Sequence, residues 1–286
     1  MDIREQVGAA IGSTPDDLTP MSGGCVGEVY AAAIDGRRVV VKVDRRDQPN
    51  LDIEGRMLRL LADRSDLPVP EVLHAEPHLL VMAFIPAGGR GRGIDAQRNA
   101  ADLLAALHDV VPETAAFGLE FDTLIGGLHQ PNPWTDSWVA FFRQHRLLDM
   151  AGRATDAGRL PESIRDRIRT FAASHLADLI DEPASPSLIH GDVWGGNVIV
   201  GDGRINGFID PAVYYAHAEI ELAFITLFST FGDEFFDRYR ERRPIAPGFF
   251  ETRRDIYNLY PLLVHVRLFG GGYVSDVDRI LRRFGV

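Results

Sequence analysis

The sequence predicts an α+β protein of two lobes, in which a small antiparallel β-sheet with one helix precedes a larger, mainly helical lobe. Strand patterns and tight turns fill the chain up to Ile85, whereas helical periodicity dominates the remainder. A proline-, glycine- and arginine-rich stretch separates the two patterns. We therefore place the N-lobe at 1–86 and the C-lobe at 87–286, and 286 residues with 45% hydrophobic content can form a sizeable core.

Three strands open the N-lobe between Asp17 and Val43. Asp35-Gly36 lies between two strand-like runs and is a strong signal for a hairpin turn. A glycine-rich turn, residues 22–27, precedes the second strand. This arrangement places Lys42 on the third strand.

A helix follows Pro49-Asn50, and one carboxylate lies in its apolar stripe. Glu54, Met57, Leu58 and Leu61 recur at the spacing of one helical face. Burying a carboxylate without a partner costs several kcal/mol, so we expect a cation beside Glu54. Lys42 is the candidate, because it is the only lysine among 30 Lys and Arg residues. The alternatives are that the single lysine is accidental and that Glu54 points to water.

Two further strands, 71–75 and 79–85, complete the predicted N-lobe. In the C-lobe, Asp95 is the predicted cap of a helix that ends before Pro112. Four later segments have helical length and periodicity, interrupted by one compact β-hairpin near residue 200. These segments are 138–148, 161–180, 216–228 and 251–268.

The stretch 190–210, HGDVWGGNVIVGDGRINGFID, carries the chemistry. Asn197 follows Asp192 by five residues, and Asp210 follows Asn197 by thirteen. The intervening hairpin returns its ends to each other, which brings the Asn197 and Asp210 oxygens together. Such oxygens suit Mg²⁺ bridging to nucleotide phosphates, while Asp192 can accept a hydroxyl proton. The pattern predicts phosphoryl transfer from ATP with Mg²⁺ as cofactor.

The glycine-rich turn and the interlobe strand complete a predicted nucleotide site. Glycines upstream of Lys42 allow backbone N–H groups to approach phosphates, although such turns also occur without ligands. The glycines concerned are Gly23, Gly24 and Gly27. The predicted hinge, whose backbone groups can hydrogen-bond adenine, is Met82, Ala83 and Phe84.

With these residues the chain resembles the fructosamine kinase (ketosamine-3-kinase) family, itself similar to aminoglycoside, choline and protein kinases. The resemblance runs nearly end to end through GGCVGEVY, VVVKV, LVMAFIP, FGLEFDTLIGGLHQPNPWTDSWVAFFRQHRL, HGDVWGGN, FIDPAVYYAHAEIELAF and LFGGGY. It implies a protein-kinase-like fold, Asp192 as catalytic base, Asn197 and Asp210 as Mg²⁺ ligands, and Lys42 on the nucleotide phosphates with Glu54 as its partner.

The resemblance also implies a substrate. Family members phosphorylate the 3-hydroxyl of small-molecule or protein-bound ketosamines, and elimination of the phosphate then releases the amine, which is deglycation. A cationic amine suits aromatic and acidic linings, although each candidate is equally a core residue. The candidates are Trp194, Trp138, Tyr214, Tyr215 and Glu219.

Three positions carry expectations of a different kind. Glu221 stands where relatives have an aspartate in the helix that braces the catalytic loop, so it is expected to adjust the loop beneath Asp192. Ala83 stands where relatives often carry glutamate, which matters little if adenine is recognised through the backbone. We expect His108 to be a structural hydrogen-bonding residue.

Charge and cysteine content restrict the partners. A net charge of -11 argues against nucleic acid, and we find no signal peptide or membrane-length run, so we expect a cytoplasmic protein that binds no membrane. The single cysteine, Cys25, excludes an intrachain disulfide. The chain is therefore expected to be a monomer or a redox-sensitive homodimer linked through Cys25.

Two other functions stay open from the sequence. An aminoglycoside or other small-molecule hydroxyl kinase would share every assigned residue except the substrate pocket. A nucleotide-binding pseudokinase acting as a scaffold is the alternative of another class, although the base, the metal ligands and the lysine are all present.

Overall fold

A five-stranded antiparallel sheet forms the N-lobe in the computed structural model, which describes residues 2–21, 27–88 and 93–286. Its strands lie in the order β1-β2-β3-β5-β4. They are β1 (Asp16–Pro20), β2 (Glu28–Ile34), β3 (Arg37–Val43), β4 (Val72–Glu76) and β5 (Leu79–Ala83). Two helices accompany them, α1 (Ile3–Ile11) and α2 (Leu51–Arg64).

Alternation along β3 divides the N-lobe into two faces. Val39, Val41 and Val43 are buried on one face, where they share a hydrophobic cluster with Ile3 and Val7 of α1. The predicted strands and the hairpin at Asp35-Gly36 are confirmed. Helix α1 is a second N-lobe helix that the sequence prediction missed, because its nine residues are too few for a sustained periodicity.

Helix α2 starts after Asn50, as predicted, and packs on both lobes. Leu58 belongs to a cluster with Leu80 and Met82 of the sheet, whereas Met57 and Leu61 belong to the C-lobe core. The helix therefore links the sheet to the larger lobe and holds Glu54 between them.

Nine α-helices occur in the described part of the C-lobe. They are α3 (Ile94–His108), α4 (Trp138–Phe141), α5 (Asp149–Asp156), α6 (Glu162–Ser174), α7 (Leu176–Leu179), α8 (Glu219–Leu227), α9 (Asp233–Arg242), α10 (Arg254–Phe269) and α11 (Gly272–Arg283). Two π-helical segments, Phe142–Leu148 and Phe249–Arg253, lie between α4 and α5 and before α10.

Three two-stranded sheets accompany these helices, whereas the sequence predicted one hairpin. They pair β6 (Thr123–Ile125) with β7 (Leu128–Gln130), β8 (Ser187–Ile189) with β11 (Tyr214–Ala216), and β9 (Val198–Gly201) with β10 (Arg204–Phe208). The predicted hairpin is β9–β10. The other pairs consist of three-residue strands, which are too short to show alternation in the sequence.

The predicted cap of α3 was wrong by two residues. Gly93 occupies the N-cap position, and the helix begins at Ile94. Asp95 consequently lies in the first turn, where its negative charge favourably meets the positive end of the helix dipole. The predicted lobe boundary falls between the end of β5 and this helix.

Helices α8 and α10 form the centre of the C-lobe. Every residue of α8 from Glu219 to Ile225 is buried, and so is every residue of α10 from Ile256 to Val264. This packing gives the segment between β8 and β9, which carries Asp192, a rigid support. No helix in the described ranges combines the length and apolar character needed to cross a membrane.

Candidate active site

A cleft of about 490 Å³ lies between the lobes and contains most of the predicted site. Its size is within the usual range for small-ligand pockets. N-lobe residues that line it include Met21, Val29, Val40, Lys42, Leu51, Glu54, Met57 and Met82. C-lobe residues that line it include Leu124, Gly126, Gly127, Asp192, Trp194, Asn197, Ile199 and Asp210.

Lys42 joins the lobes through two carboxylates. Its Nζ donates to Glu54 Oε1 at 2.7 Å, which confirms the predicted pair, and it also donates to Asp210 Oδ1. Burial lowers the pKa of Lys42, but the charges of Glu54 and Asp210 outweigh burial and raise it. Burial raises the pKa of Glu54 to about 7, because the ammonium it shares with Asp210 offsets only part of the desolvation.

The backbone places both partners of Lys42. On β3, Lys42 pairs with Leu80 of the neighbouring strand and alternates with the buried valines, so its side chain faces α2. Asp210 follows β10 with a φ of 52°, a left-handed conformation that aspartate tolerates better than most residues. That conformation turns its carboxylate into the cleft.

Asn197 connects Asp192 to Asp210. Its Nδ2 donates to the Asp192 carbonyl at 3.0 Å, to Asp192 Oδ2 at 2.9 Å and to the Asp210 carbonyl at 3.4 Å. The hairpin thus brings the predicted residues together. Burial and the Asp210 charge raise the pKa of Asp192 to about 7, against the opposing hydrogen bond from Asn197.

The donor set fits a divalent cation held jointly with a ligand. Within the described ranges, no three His, Cys, Asp or Glu side chains cluster in a way that would hold a metal. Asn197 and Asp210 supply an amide oxygen and a carboxylate, the hard ligands that Mg²⁺ takes beside phosphate oxygens. Among the described residues that line the cleft there are three carboxylates and one ammonium, and this negative balance favours a further cation beside a bound polyphosphate.

A buried chain of hydrogen bonds supports the loop that carries Gly191 and Asp192. Gly191 N–H donates to Glu221 Oε1 at 2.6 Å, and His108 Nε2 lies 2.8 Å from Glu221 Oε2. His108 Nδ1 lies 2.7 Å from the Tyr239 hydroxyl. Burial raises the pKa of Glu221, but the hydrogen bond and charge of His108 outweigh it and lower that pKa.

His108 is a structural hydrogen-bonding residue, as predicted, and Glu221 holds the loop through Gly191. The expected adjustment of the loop by Glu221 stays a prediction. Tyr239 was missed, because nothing in a helical run of charged and aromatic residues indicates which one reaches a buried histidine. Gly191 must be glycine, since its φ is 85° and an added Cβ would lie 2.2 Å from the Ala212 carbonyl oxygen.

The predicted hinge residues Met82, Ala83 and Phe84 all line the cleft. However, Ala83 N–H donates to the Glu71 carbonyl at 2.8 Å, and Phe84 N–H donates to the Arg38 carbonyl at 3.1 Å. These donors are engaged within the sheet. Ile85 also lines the cleft, and its N–H has no partner in the part of the chain that the structure describes.

The glycine-rich turn is described only at its ends. Gly23, Gly24 and Cys25 lie outside the described residues, so their predicted roles stay predictions. Gly27 adjoins the carbonyl end of β3. Met21 and Val29, which flank the turn, both line the cleft.

Of the five substrate candidates, only Trp194 lies in the cleft, with 41% of its surface exposed. Trp138 is fully buried, and its Nε1 donates to the Tyr257 hydroxyl at 3.1 Å. Its aromatic neighbours fill the C-lobe core, so the prediction that it lines the substrate site was wrong.

The other three candidates are structural as well. Tyr214 and Tyr215 lie buried on β11, and the Tyr215 hydroxyl accepts from Arg64 at 3.1 Å. Glu219 forms a buried bidentate pair with Arg253, both bonds at 2.7 Å. A carboxylate that is paired in this way does not face the cleft.

One cleft element escaped the sequence prediction. The turn between β6 and β7 places Gly126 and Gly127 in the lining. A Gly-Gly pair between two short apolar runs is a hairpin signal, and it could have identified this turn.

Comparisons with known proteins agree with this geometry. A family model described as Fructosamine kinase matches residues 2–284. A Synechocystis protein named probable ketoamine kinase is 33% identical over 270 residues, which cover 92% of this chain and 88% of that protein. The chloroplastic protein-ribulosamine 3-kinase of Oryza sativa subsp. japonica is 32% identical over 273 residues, covering 92% and 77%.

Solved structures are similar over the whole chain. A crystal structure assigned to a fructosamine-3-kinase of Thermobifida fusca has a TM-score of 0.86 at 30% identity, with 99% of each chain covered. An aminoglycoside phosphotransferase complex with ADP and hygromycin B has a TM-score of 0.69 at 15% identity, with 100% of each chain covered, and shares the fold. The predicted two-lobed kinase-like fold is thereby confirmed.

Proposed function

The chain belongs to the fructosamine kinase family, and on that premise we propose that it transfers the γ-phosphoryl group of ATP to the 3-hydroxyl of a ketosamine. It is a phosphotransferase with an alcohol group as acceptor. The observation that carries the proposal is the ammonium of Lys42, held by one carboxylate from each lobe in the cleft that contains Asp192.

Asp192 would act as the general base. Its carboxylate takes the proton of the 3-hydroxyl while that oxygen bonds to the γ-phosphorus, and the bond from the γ-phosphorus to the bridging oxygen breaks to leave ADP. A pKa raised to about 7 suits a base at neutral pH. Asn197 Nδ2 holds the carboxylate in position at 2.9 Å.

The N-lobe would hold the nucleotide. Lys42, kept in place by Glu54, would bind phosphate oxygens in exchange for Asp210. Adenine would lie between the apolar side chains of Val29, Val40 and Met82 and accept a hydrogen bond from Ile85 N–H. The predicted glycine turn would cover the phosphates.

Asn197 and Asp210 would hold Mg²⁺. When bound, the ion neutralises phosphate charge. This proposal rests on the hard oxygen donors of the two residues and on the excess of carboxylates over ammonium groups among the described residues of the cleft.

The product would lead to deglycation. Enolisation between C1 and C2 makes a phosphate on C3 an allylic leaving group, so its elimination and subsequent hydrolysis release the amine without a second enzyme. Because ATP is an intracellular co-substrate, we retain the cytoplasmic location within this proposal.

The two alternatives have less support. A pseudokinase scaffold would not need the base, the amide and the paired lysine assembled in one cleft. The aminoglycoside phosphotransferase structures share the fold at 15–16% identity, whereas the ketoamine and ribulosamine kinases are 30–33% identical over most of the chain.

A substrate panel tests the proposal. ADP release would be measured with ribulose-lysine, fructose-lysine and aminoglycosides, each with and without Mg²⁺, and phosphorus NMR would locate the phosphate. We expect Mg²⁺-dependent turnover of at least one ketosamine with phosphate on C3. Turnover of aminoglycosides alone would contradict the proposal, and so would phosphate on another hydroxyl.

A further inference from the structure

A line of five aromatic side chains leads from the catalytic loop to the surface. We call it the aromatic track; it consists of Trp194, Phe228, His265, Phe269 and Tyr273. Neighbouring ring centroids are 6.5 Å apart from Trp194 to Phe228, 5.0 Å from Phe228 to His265, and 4.9 Å from His265 to Tyr273. Phe269 lies 5.7 Å from His265.

The track begins inside the cleft and ends in solvent. The Trp194 ring lies against the Gly196 backbone, where an added Cβ would come within 2.4 Å of it, and it shares the cleft with Asp192. At the other end Phe269 is 58% exposed, which is unusual for a phenylalanine. The track is therefore continuous with the place where the acceptor hydroxyl would lie.

The backbone holds the outer end of the track against the cleft wall. Gly126 has a φ of 54°, and a Cβ there would lie 2.9 Å from Leu268 Cδ1, so the β6–β7 turn packs directly on the end of α10. The Gly270-Gly271 turn then reverses the chain and returns Tyr273 to His265. The LFGGGY segment, which had no role in the sequence prediction beyond family resemblance, builds this end.

His265 provides a hydrogen-bond acceptor within the track. His265 Nδ1 bonds the Pro261 carbonyl at 2.7 Å and must therefore carry its proton. Burial lowers the pKa of His265, which keeps the ring neutral and leaves Nε2 as an acceptor. A neutral acceptor among aromatic rings suits a cationic amine and an alkyl chain.

Several rings of the described chain are covered by an arginine, whereas those of the track are not covered by any arginine that the structure describes. Arginine guanidinium groups lie 3.6 Å from the Phe84 centroid, 3.9 Å from that of Phe121 and 5.1 Å from that of Phe250. Over the stretches the structure describes, no arginine lies on a ring of the track. The exposed surfaces of Trp194 and Phe269 are therefore not covered by a described arginine and can contact a ligand.

We propose that the aromatic track is the subsite for the amine-bearing part of the ketosamine, and that it favours adducts on a lysine that belongs to a peptide. The inference rests on the proposed function. The amine is bonded to C1, two carbons from the reacting C3, so an arm leaving the sugar beside Asp192 and Trp194 meets Phe228 and His265 next. An extended lysine arm reaches about 10 Å from C3, so it would end before Phe269, and the peptide atoms beyond it would contact Phe269 and Tyr273.

The test compares two substrates that share one sugar. Ribulose adducts of methylamine and of Nα-acetyl-lysine amide would be assayed with the wild type, Phe269→Ala and Tyr273→Leu. Val111→Ala is the matched control, because Val111 is 53% exposed and lies outside the track. Thermal unfolding would verify that each variant is folded.

We expect the wild type to prefer the lysine adduct by about 10-fold in kcat/KM, through KM, as ring contacts with a cation and methylenes imply. Phe269→Ala and Tyr273→Leu should each remove most of that preference and leave the methylamine adduct almost unchanged. Equal kcat/KM for both adducts in the wild type would overturn the inference, as would equal losses on both adducts in the two folded variants. If no ketosamine is phosphorylated at all, the proposed function fails first, which is a distinguishable result.

Discussion

The two sides of the cleft differ in their side chains: paired buried charges lie where we propose that the nucleotide binds, and partly exposed aromatic rings lie where we propose that the acceptor binds. On the nucleotide side, buried charged groups are paired: Lys42 meets Glu54 at 2.7 Å and also Asp210. On the acceptor side, the partly exposed Trp194 lies in the cleft with Asp192, and the track leads from it to the exposed Phe269. None of the described arginines lies on these two rings.

This difference shows which kind of site a sequence reveals. A buried charge needs a partner of opposite charge, so the position of Glu54 in an apolar stripe predicts a contact with Lys42. An aromatic ring is stable both in a core and in a binding site, and its sequence context is the same in both. The charged residues of the nucleotide side can therefore be predicted from the sequence, whereas the aromatic residues of the acceptor side can be identified only in the structure.

The largest expected effect comes from Asp192→Asn, at the junction of the two sides. Removing a general base should lower kcat by about 10²–10⁴-fold. ATP affinity should change little, because Lys42 and the apolar nucleotide pocket are intact. ADP-release kinetics and ATP titration calorimetry would measure the two quantities, and near-normal kcat in a folded variant would show that the base has been misassigned.

Lys42→Met tests the nucleotide side. It leaves Glu54 buried and Asp210 without their shared cation, so we expect a loss of about 3–5 kcal/mol in the free energy of unfolding, with weaker ATP binding. Urea unfolding and ATP titration would measure both.

The control for that variant is Arg45→Met, which removes an exposed cation 3.3 Å from Glu28 and should change stability by less than about 1 kcal/mol. Similar stability losses in Lys42→Met and Arg45→Met would contradict the claim that the buried ion pairs of Lys42 stabilise the nucleotide side.

Most charged residues of the cleft could be predicted from the sequence, because the turn and helix signals agree with the need to pair buried charges. The Asp35-Gly36 turn fixed the position of Lys42 on β3, and the helix period fixed the face of Glu54. The β9–β10 hairpin brought Asn197 and Asp210 to one place. Each step needed only a short stretch of sequence.

The failures share a physical cause, which is that they depend on long-range packing. Trp138 and Trp194 are both aromatic residues near polar neighbours, yet one is fully buried and the other 41% exposed. Nothing local indicates that Phe269 stays uncovered. We propose Ile85 as the adenine donor because the Glu71 and Arg38 carbonyls, from two other segments, accept from the N–H groups of Ala83 and Phe84.

A pair of matched substitutions sharpens this contrast. Trp138→Phe should destabilise the protein by about 2–3 kcal/mol, through a cavity and an unpaired Tyr257 hydroxyl, with little change in the KM for the ketosamine. Trp194→Phe should change stability by less than about 0.5 kcal/mol while raising that KM several-fold. Thermal unfolding and steady-state kinetics would separate the two, and a reversed pattern would mean that the burial of the two rings does not determine their roles.

The smallest expected effect concerns the pH dependence of stability. The folded-state pKa of Asp192 is raised to about 7 from an ordinary value of 3.8, so between these values the folded protein binds more protons than the unfolded chain. Its contribution to stability is complete below about pH 4 and is lost as the pH rises to about 7. Glu54, whose pKa is also raised to about 7, acts in the same direction.

Asp192→Asn removes one of these two titrations and should therefore weaken the pH dependence without abolishing it. At about pH 8 the variant should be about 1–3 kcal/mol more stable than the wild type, and at about pH 5 the difference should be smaller. Urea unfolding without nucleotide would measure this, with the exposed Asp47→Asn as the control. A larger gain at the acidic pH would contradict the expected sign, because it would mean that the Asp192 charge stabilises the folded cleft and that catalysis begins from a base already held ionised.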